Sequence, residues 1–147
     1  MMAVGGTFET LHVGHQYMLT EASKLSDTLI IGITTKRFAR KSKMYAVSDT
    51  KDRMEAIIKF LSKFTKNIIV EKLNDPFGPS ISSEKIKSLL VTPDTYINAR
   101  RINKIRKHRG LKPLVLYVAG YIRNEWGCPI NSTYIKFGYM DEWGRII

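Results

Sequence analysis

Short apolar runs alternate with amphipathic stretches along this chain. Five runs have the length and composition of strands, at residues 1–5, 28–35, 67–73, 88–92 and 113–120. Continuous apolar character, without alternation, is typical of strands that are buried on both faces of a parallel sheet. The pattern therefore predicts a central sheet that is covered on both sides.

Helix-like patterns separate these strands. The clearest has the i, i+3, i+4, i+7 spacing of one buried face, at Met54, Ile57, Ile58, Leu61 and Phe64. The others cover residues 14–25, 93–109 and 131–138. Strands that alternate with helices predict parallel pairing through crossover helices. We therefore expect one domain over residues 1–147, with a doubly wound α/β fold: a mainly five-stranded parallel sheet with helices on both faces.

The net charge narrows the set of ligands. Lysine and arginine number 24 against 13 aspartates and glutamates, which gives a net charge of +11. Such a field attracts anions, either nucleic acid or small phosphorylated molecules. A basic surface that only keeps the protein dissolved is a third interpretation. Charge alone does not choose among the three.

Cysteine content and hydropathy bear on location. No apolar run is long enough to cross a bilayer, and no signal-like segment opens the sequence. Cys128 is the only cysteine, so no internal disulfide can form, and a reducing compartment fits this composition. We expect a cytoplasmic protein without a membrane partner.

The segment VGGTFETLHVGH, residues 4–15, lies where the first strand ends and the first helix begins. In doubly wound sheets, ligands bind beyond the carboxyl ends of the strands. Gly5 and Gly6 would let backbone N–H groups approach an anion, and the helix start adds its positive dipole end. His12 and His15 are three residues apart, so both rings could reach one bound phosphate. Such donors suit charge that builds on a phosphate during phosphoryl transfer.

The two histidines have competing interpretations. Neither Rossmann nor P-loop spacing fits the segment. A zinc site needs further ligands, and only His108 and Cys128 are available, both distant in sequence. We therefore expect no metal bound by the protein itself. Histidines that merely cap a turn remain an alternative for the pair taken alone.

The same segment resembles the (H/T)-x-G-H signature of the nucleotidylyltransferase superfamily. Residues 73–79 (LNDPFGP), 91–114 and 129–145 resemble one branch, the archaeal and eukaryotic phosphopantetheine adenylyltransferases. The resemblance implies a Rossmann-like nucleotidylyltransferase fold. It also implies transfer of AMP from ATP to 4'-phosphopantetheine, which gives dephospho-coenzyme A and pyrophosphate in coenzyme A biosynthesis. Mg²⁺ is implied as the cofactor, held through the substrate phosphates.

Candidate site residues follow from the motif, the charge pattern and this resemblance. The catalytic candidates are Thr7, His12, His15 and Lys43. The candidates for ATP contact are Gly5, Gly6, Thr7, Phe8, His12, His15, Thr92, Asn103, Arg106, Asn131, Ser132 and Thr133. The candidates for acceptor contact are Thr7, Lys41, Lys43 and Arg53. The sequence does not separate the two lysines, and Arg53 would either hold its loop or lie exposed.

Three positions depart from the usual pattern of this branch. The usual aspartate after GGTF is Glu9, and in INSTYIK a serine is replaced by Asn131 and an arginine by Lys136. Asparagine is a good N-cap, and Ser132 and Thr133 keep hydroxyls and N–H groups at a helix start. Lys136 keeps the positive charge but loses the planar fork of arginine. We therefore expect a phosphate site whose affinity differs from that of other members of the branch.

Alternatives remain within and outside the superfamily. Other nucleotidylyltransferases use CTP, or accept nicotinamide mononucleotide, FMN or glycerol phosphate. The charge of +11 also allows a nucleic-acid-binding protein on an inactive transferase fold. RNP-like, helix-turn-helix and zinc-finger signatures are lacking in the sequence, which disfavours nucleic acid. The sequence leaves the oligomeric state open.

Overall fold

The computed structural model describes residues 1–65 and 67–147. Five strands form one sheet: β1 (Met2–Gly6), β2 (Thr28–Thr34), β3 (Asn67–Leu73), β4 (Ser88–Val91) and β5 (Val115–Val118). Their order is β3-β2-β1-β4-β5, and every neighbouring pair is parallel. The predicted five-stranded parallel sheet is confirmed.

The helices connect these strands. Within the described residues they are α1 (Val13–Leu25), α2 (Lys36–Ala39), α3 (Thr50–Leu61), α4 (Tyr96–His108) and α5 (Ser132–Lys136), with a short 3-10 helix at Gly78–Ile81. The sequence did not predict α2, because four residues are too few to show a helical period. In the described part of the chain, no helix has the length and apolar character that crossing a membrane requires.

Side chains on the two faces of the sheet form two separate apolar cores. Met2 and Val4 of β1 lie in the core that includes Leu19 of α1. Ala3, between them in sequence, lies in the other core with Ile102 of α4. The alternation of side chains along a strand produces this division. Helices therefore cover both faces, as predicted.

The buried side of α3 differs from the predicted one. Ile58 is 44% exposed and Phe64, beyond the helix end, is 48% exposed. The buried residues are Arg53, Ile57 and Leu61, which follow one another at four-residue intervals. The apolar pattern could not show this, because one member of the buried stripe is an arginine.

The last strand is also less buried than predicted. Val115 is 57% exposed and Val118 is 53% exposed. The cause is the place of β5 at the edge of the sheet, where β4 is its neighbour on one side. An apolar run in the sequence does not distinguish an edge strand from a central one.

The centre of the sheet determines where a ligand can bind. β1 lies between β2 and β4, so the strand order reverses there. Gly5 and Gly6 form the carboxyl end of β1, and the chain continues from there into the loop before α1. In open α/β sheets this is the place where ligands bind.

Candidate active site

The loop between β1 and α1 has an unusual backbone. Three of its non-glycine residues have left-handed φ angles: Phe8 (53°), Thr10 (69°) and Leu11 (41°). Such conformations cost on the order of 1–3 kcal/mol each and persist where the surrounding structure holds them, often at functional sites. Phe8 is anchored by burial, with 2% of its surface exposed. The loop is therefore held in shape by its neighbours.

Two glycines make room for the rings of this loop. A Cβ on Gly6 would lie 3.1 Å from the ring of Phe8. A Cβ on Gly14 would lie 3.0 Å from Cε1 of His12. A side chain at either position would push a ring out of place in a closely packed region. The glycine of HVGH is therefore what lets the ring of His12 lie over the start of α1.

His12 and His15 lie against each other at the start of α1. Their rings are stacked, with centroids 3.7 Å apart and planes at 18°. Nδ1 of His12 accepts a hydrogen bond from the backbone N–H of His15 at 3.3 Å and so caps the helix. A neutral His12 ring then carries its proton on Nε2. Capping and ligand contact are thus compatible, because they use different ring nitrogens.

Burial keeps both imidazoles neutral near pH 7. Burial removes the ring of His12 from water and lowers its pKa from 6.5 to about 4. The pKa of His15 is also lowered well below its ordinary value, by burial first and then by the charges of His12 and Lys43. Nδ1 of His15 is buried without a hydrogen-bond partner in the described part of the chain. The ring of His15 thus keeps hydrogen-bonding capacity that the described residues do not use.

A cavity of about 310 Å³ opens beside these histidines, at the carboxyl ends of β1 and β4. It is referred to below as the histidine cavity. The predicted site residues that line it are Gly5, Gly6, Phe8, His12, His15, Lys43, Thr92, Asn131, Ser132 and Thr133. These residues come from four separate parts of the chain, so the fold assembles most of the predicted site.

A second cavity of about 200 Å³ shares wall residues with the first at the end of β1. Gly5 and Gly6 line both cavities. The second is lined on its far side by residues of LNDPFGP, among them Leu73, Pro76 and Phe77. It is referred to below as the proline-loop cavity. The segment that resembles the adenylyltransferase branch thus forms the wall of a cavity next to the histidine motif.

Arg53 fastens the loops behind the histidine cavity. It is 3% exposed. Its Nη1 donates to the carbonyl oxygens of Thr7 and Thr34, each at 2.8 Å, and its Nε donates to that of Ser48 at 3.1 Å. Burial lowers the pKa of the guanidinium, and the nearby carboxylate of Glu9 opposes that shift. Of the two alternatives for Arg53, the structure places it as the residue that holds its loop.

Comparison with known proteins agrees with this geometry. The cytidylyltransferase-like family matches residues 3–137. A phosphopantetheine adenylyltransferase of Methanothermobacter thermautotrophicus is 34% identical, over 100% of this chain and 89% of its own length. One from Methanosarcina mazei is 36% identical, over 99% of this chain and 96% of its own. A solved structure from Archaeoglobus fulgidus, described as a protein with unknown function, superposes with a TM-score of 0.73 at 29% identity, over 80% of this chain and 87% of that one.

This chain belongs to the phosphopantetheine adenylyltransferase family. Matches at this identity, over nearly the whole of both chains, place it there within the wider cytidylyltransferase-like family. The protein is therefore an enzyme, a nucleotidyltransferase. The resemblance that the sequence showed is confirmed, and so is the Rossmann-like fold.

The structure separates the two lysines of the loop after β2. Lys43 lines the histidine cavity. Lys41 is exposed and lies over the ring of Phe38, with Nζ 5.8 Å from its centroid. Thr7 also lies outside the cavity wall, where its hydroxyl accepts a hydrogen bond from that of Thr34 at 3.0 Å. Of the two candidate lysines, Lys43 is the one on the wall of the histidine cavity.

Asn103 and Arg106 require a correction, because neither lines the histidine cavity. The side chain of Asn103 donates to the carbonyl oxygen of Leu114 at 3.0 Å and accepts from its N–H at 2.7 Å. Arg106, 2% exposed, donates to the carbonyl oxygens of Ser80, Ser83 and Lys112 at 2.8–2.9 Å. Both side chains are occupied by backbone groups, since their face of α4 packs on the loops before β4 and β5.

The residues of the histidine cavity that were not predicted include three polar ones with chemistry of interest, Tyr45, Asp94 and Tyr121. The hydroxyl of Tyr121 accepts a hydrogen bond from the backbone N–H of Asp94 at 3.1 Å. Asp94 and Tyr121 come soon after the carboxyl ends of β4 and β5, so the rule that ligands bind there could have found them. Tyr45 lies in a loop without any such signal.

Proposed function

We propose that this enzyme transfers AMP from ATP to 4'-phosphopantetheine, giving dephospho-coenzyme A and pyrophosphate in coenzyme A biosynthesis. The observation that carries the proposal is that two cavities share Gly5 and Gly6 as wall residues, one beside the stacked histidines and one beside the LNDPFGP loop. ATP takes the histidine cavity and the acceptor takes the proline-loop cavity. The named relatives at 34% and 36% identity support the same pair of substrates.

The chemistry is one phosphoryl-type displacement. An oxygen of the 4'-phosphate forms a bond to the α-phosphorus of ATP, and the bond from that phosphorus to the oxygen bridging to the β-phosphate breaks. Pyrophosphate leaves with the electron pair of that bond. Such reactions are catalysed mainly by positioning and by stabilising negative charge. The protein therefore needs donors and cations at the transferring phosphate, and no nucleophile of its own.

His12, His15 and Lys43 supply those groups. Both imidazoles are neutral, because burial lowers each pKa, so each offers an N–H donor in place of a full charge. The ammonium group of Lys43 adds the positive charge on the same cavity wall. Preorganised donors of this kind stabilise charge that develops in the transition state. The start of α1, a helix of 13 residues, contributes its positive dipole end.

The segment at the start of α5 is proposed to bind the leaving pyrophosphate. Asn131 caps α5, since its side chain accepts from the N–H of Tyr134 at 2.9 Å. The hydroxyl of Ser132 already donates a hydrogen bond to the backbone carbonyl oxygen of Glu9 at 2.8 Å. The first N–H groups of a helix have no partner within it. Those of Ser132 and Thr133 are therefore the groups available to phosphate.

Mg²⁺ would be bound to ATP, as part of the substrate. Within the described residues, no group of three or more His, Cys, Asp or Glu side chains could hold a metal ion. Mg²⁺ bound to nucleotides uses substrate phosphates, water and one or two carboxylates, and Asp94 offers a carboxylate on the cavity wall. A bound ion would supply positive charge to the phosphates there. A cytoplasmic location completes the proposal, supported by the single free cysteine, Cys128.

A substrate matrix tests the proposal. Pyrophosphate release is measured with ATP or CTP, each combined with 4'-phosphopantetheine, nicotinamide mononucleotide, FMN or glycerol phosphate, with Mg²⁺ present. We expect turnover with ATP and 4'-phosphopantetheine together, and dephospho-coenzyme A as the product. Equal or faster turnover with CTP, or with another acceptor, would assign the site to a different nucleotidyltransferase reaction.

A further inference from the structure

Glu9 is a buried carboxylate that does not line either cavity and yet touches three segments around the active site. It is 2% exposed. Its Oε2 accepts hydrogen bonds from the N–H and the hydroxyl of Ser48, at 3.1 and 2.9 Å. Its backbone carbonyl oxygen accepts a hydrogen bond from the hydroxyl of Ser132 at the start of α5. Glu9 thus joins the histidine loop to α5 and to the segment before α3.

Two cations offset the charge of Glu9. Nε of Arg53 lies 3.8 Å from Oε2, and Nζ of Lys136 lies 3.2 Å from Oε1. A buried carboxylate is costly unless it is paired and hydrogen-bonded. Arg53 already donates to three backbone carbonyls. Lys136 forms no second ion pair in the described part of the chain, so Glu9 is its partner.

The segments that Glu9 joins carry the groups proposed to act on ATP. The histidine loop carries His12, and α5 begins with Ser132. The segment before α3 carries Lys43, five residues ahead of Ser48. The carboxylate therefore lies where a small shift would move these groups relative to one another. A displacement of about 1 Å away from the chemistry can reduce a rate by about 10²-fold.

The lengths of the two side chains are complementary. The resemblance noted in the sequence implies aspartate and arginine at these two positions in other members of the branch. Glutamate is one methylene longer than aspartate, and the ammonium of lysine lies one bond nearer its Cα than the terminal nitrogens of arginine do. The longer acid therefore meets the shorter base across a contact of 3.2 Å.

We propose that Glu9 and Lys136 form a length-matched ion pair, and that this pair positions the start of α5 against the stacked histidines. Both are positioning residues, which act through Ser132 and His12 and do not touch the reacting atoms. The proposal rests on the proposed function only in taking ATP as the ligand of the histidine cavity. Its distinguishing property is that the best base at position 136 depends on the acid at position 9.

The test compares Lys136→Arg in two backgrounds. ATP affinity is measured by calorimetry, which needs no acceptor, and kcat and KM are measured with 4'-phosphopantetheine. In the wild-type background, Lys136→Arg should weaken ATP binding, because the longer base meets the longer acid. In the Glu9→Asp background the same change should strengthen it, with a coupling between the two positions of roughly 5-fold or more. Glu9→Asp alone should lower kcat/KM by on the order of 10–10²-fold.

A second background keeps the test decisive if Glu9→Asp folds poorly. Glu9→Gln keeps the length of the side chain and removes its charge, so the effect of Lys136→Arg on ATP affinity should be lost there. The matched control is the exposed pair on α3, Lys51 and Glu55, whose charged atoms are 3.9 Å apart. Lys51→Arg and Glu55→Asp are the same chemical changes at this control pair. The effect of the double variant on ATP affinity should equal the product of the two single effects to within about two-fold.

Two results would overturn the inference. One is an equal effect of Lys136→Arg on ATP affinity in the wild-type, Glu9→Asp and Glu9→Gln backgrounds. The other is a loss of melting temperature in the Glu9 variants while kcat and ATP affinity of the folded fraction stay at wild-type values, which would mean a purely structural pair. Failure of the proposed function looks different: the coupling in ATP affinity persists, but 4'-phosphopantetheine gives no turnover.

Discussion

The burial of His12 makes the stability of this enzyme depend on pH in a way that one substitution can isolate. His12 is 5% exposed, and its ring has two functions, as the cap of α1 and as a wall of the histidine cavity. His12→Asn removes the titrating group and keeps a residue that caps helices well. The helix start should therefore survive, while the proton-binding site is lost.

The magnitude follows from the two pKa values of His12. In the folded enzyme the pKa is about 4, against 6.5 for the exposed group. The folded value is the lower one, so the unfolded chain binds the proton first as the pH falls. The contribution of neutral His12 to stability is thus complete above about pH 6.5 and is lost as the pH falls toward about 4. At about pH 5 the loss amounts to about 2 kcal/mol.

The assay is urea unfolding at about pH 7.5 and about pH 5, for the wild type and for His12→Asn. The free energy of unfolding should fall between the two pH values by about 2 kcal/mol more in the wild type than in the variant. His108→Asn, at an exposed position on α4, controls for the removal of a histidine elsewhere. An equal fall in the wild type and in His12→Asn would refute a neutral, buried His12.

Three further predictions concern the site and its surroundings. His15→Ala should lower kcat by roughly 10²–10³-fold and change ATP affinity far less, because one preorganised donor is lost; near wild-type kcat in a folded variant would contradict this. Lys43→Ala should lower kcat/KM for ATP at least about 10-fold. The control Lys41→Ala should keep kcat/KM within about 2-fold of the wild-type value, because Lys41 lies outside the cavity. Equal effects of the two variants in steady-state kinetics would remove Lys43 from the site. Arg106→Ala should cost on the order of 3 kcal/mol in urea unfolding, since it leaves buried carbonyl oxygens without donors, and the folded fraction should keep its kcat. A loss of ATP affinity in that variant would return Arg106 to the binding site.

Much of the fold could be predicted from local pattern. The strand predicted at residues 67–73 is β3, and the one at 28–35 differs from β2 by a single residue. The helix predicted at residues 14–25 begins one residue earlier, at Val13. These elements depend on periodicity and on turn-forming residues, which are properties of neighbours along the chain. The same holds for the glycine and histidine motif at the end of β1.

The parts of the site that the sequence could not predict involve distant partners. Lys41 and Lys43 are equivalent in composition, and only the path of their loop places one of them on the cavity wall. A polar residue beside an apolar stripe suits a ligand and a backbone carbonyl equally well, so the face of α4 did not reveal that Arg106 is bound to Ser80 and Ser83.

The sequence by itself determined the type of fold, the position of the histidine motif and the family, because these depend on short-range patterns and on the order of residues. Only the tertiary structure decided which side chains meet. Glu9 and Lys136 are 127 residues apart in the chain, and nothing in the sequence indicates that their charges lie 3.2 Å apart. That contact exists because α5, near the end of the chain, packs against the first loop, and such long-range packing is set by the whole core and not by either segment alone.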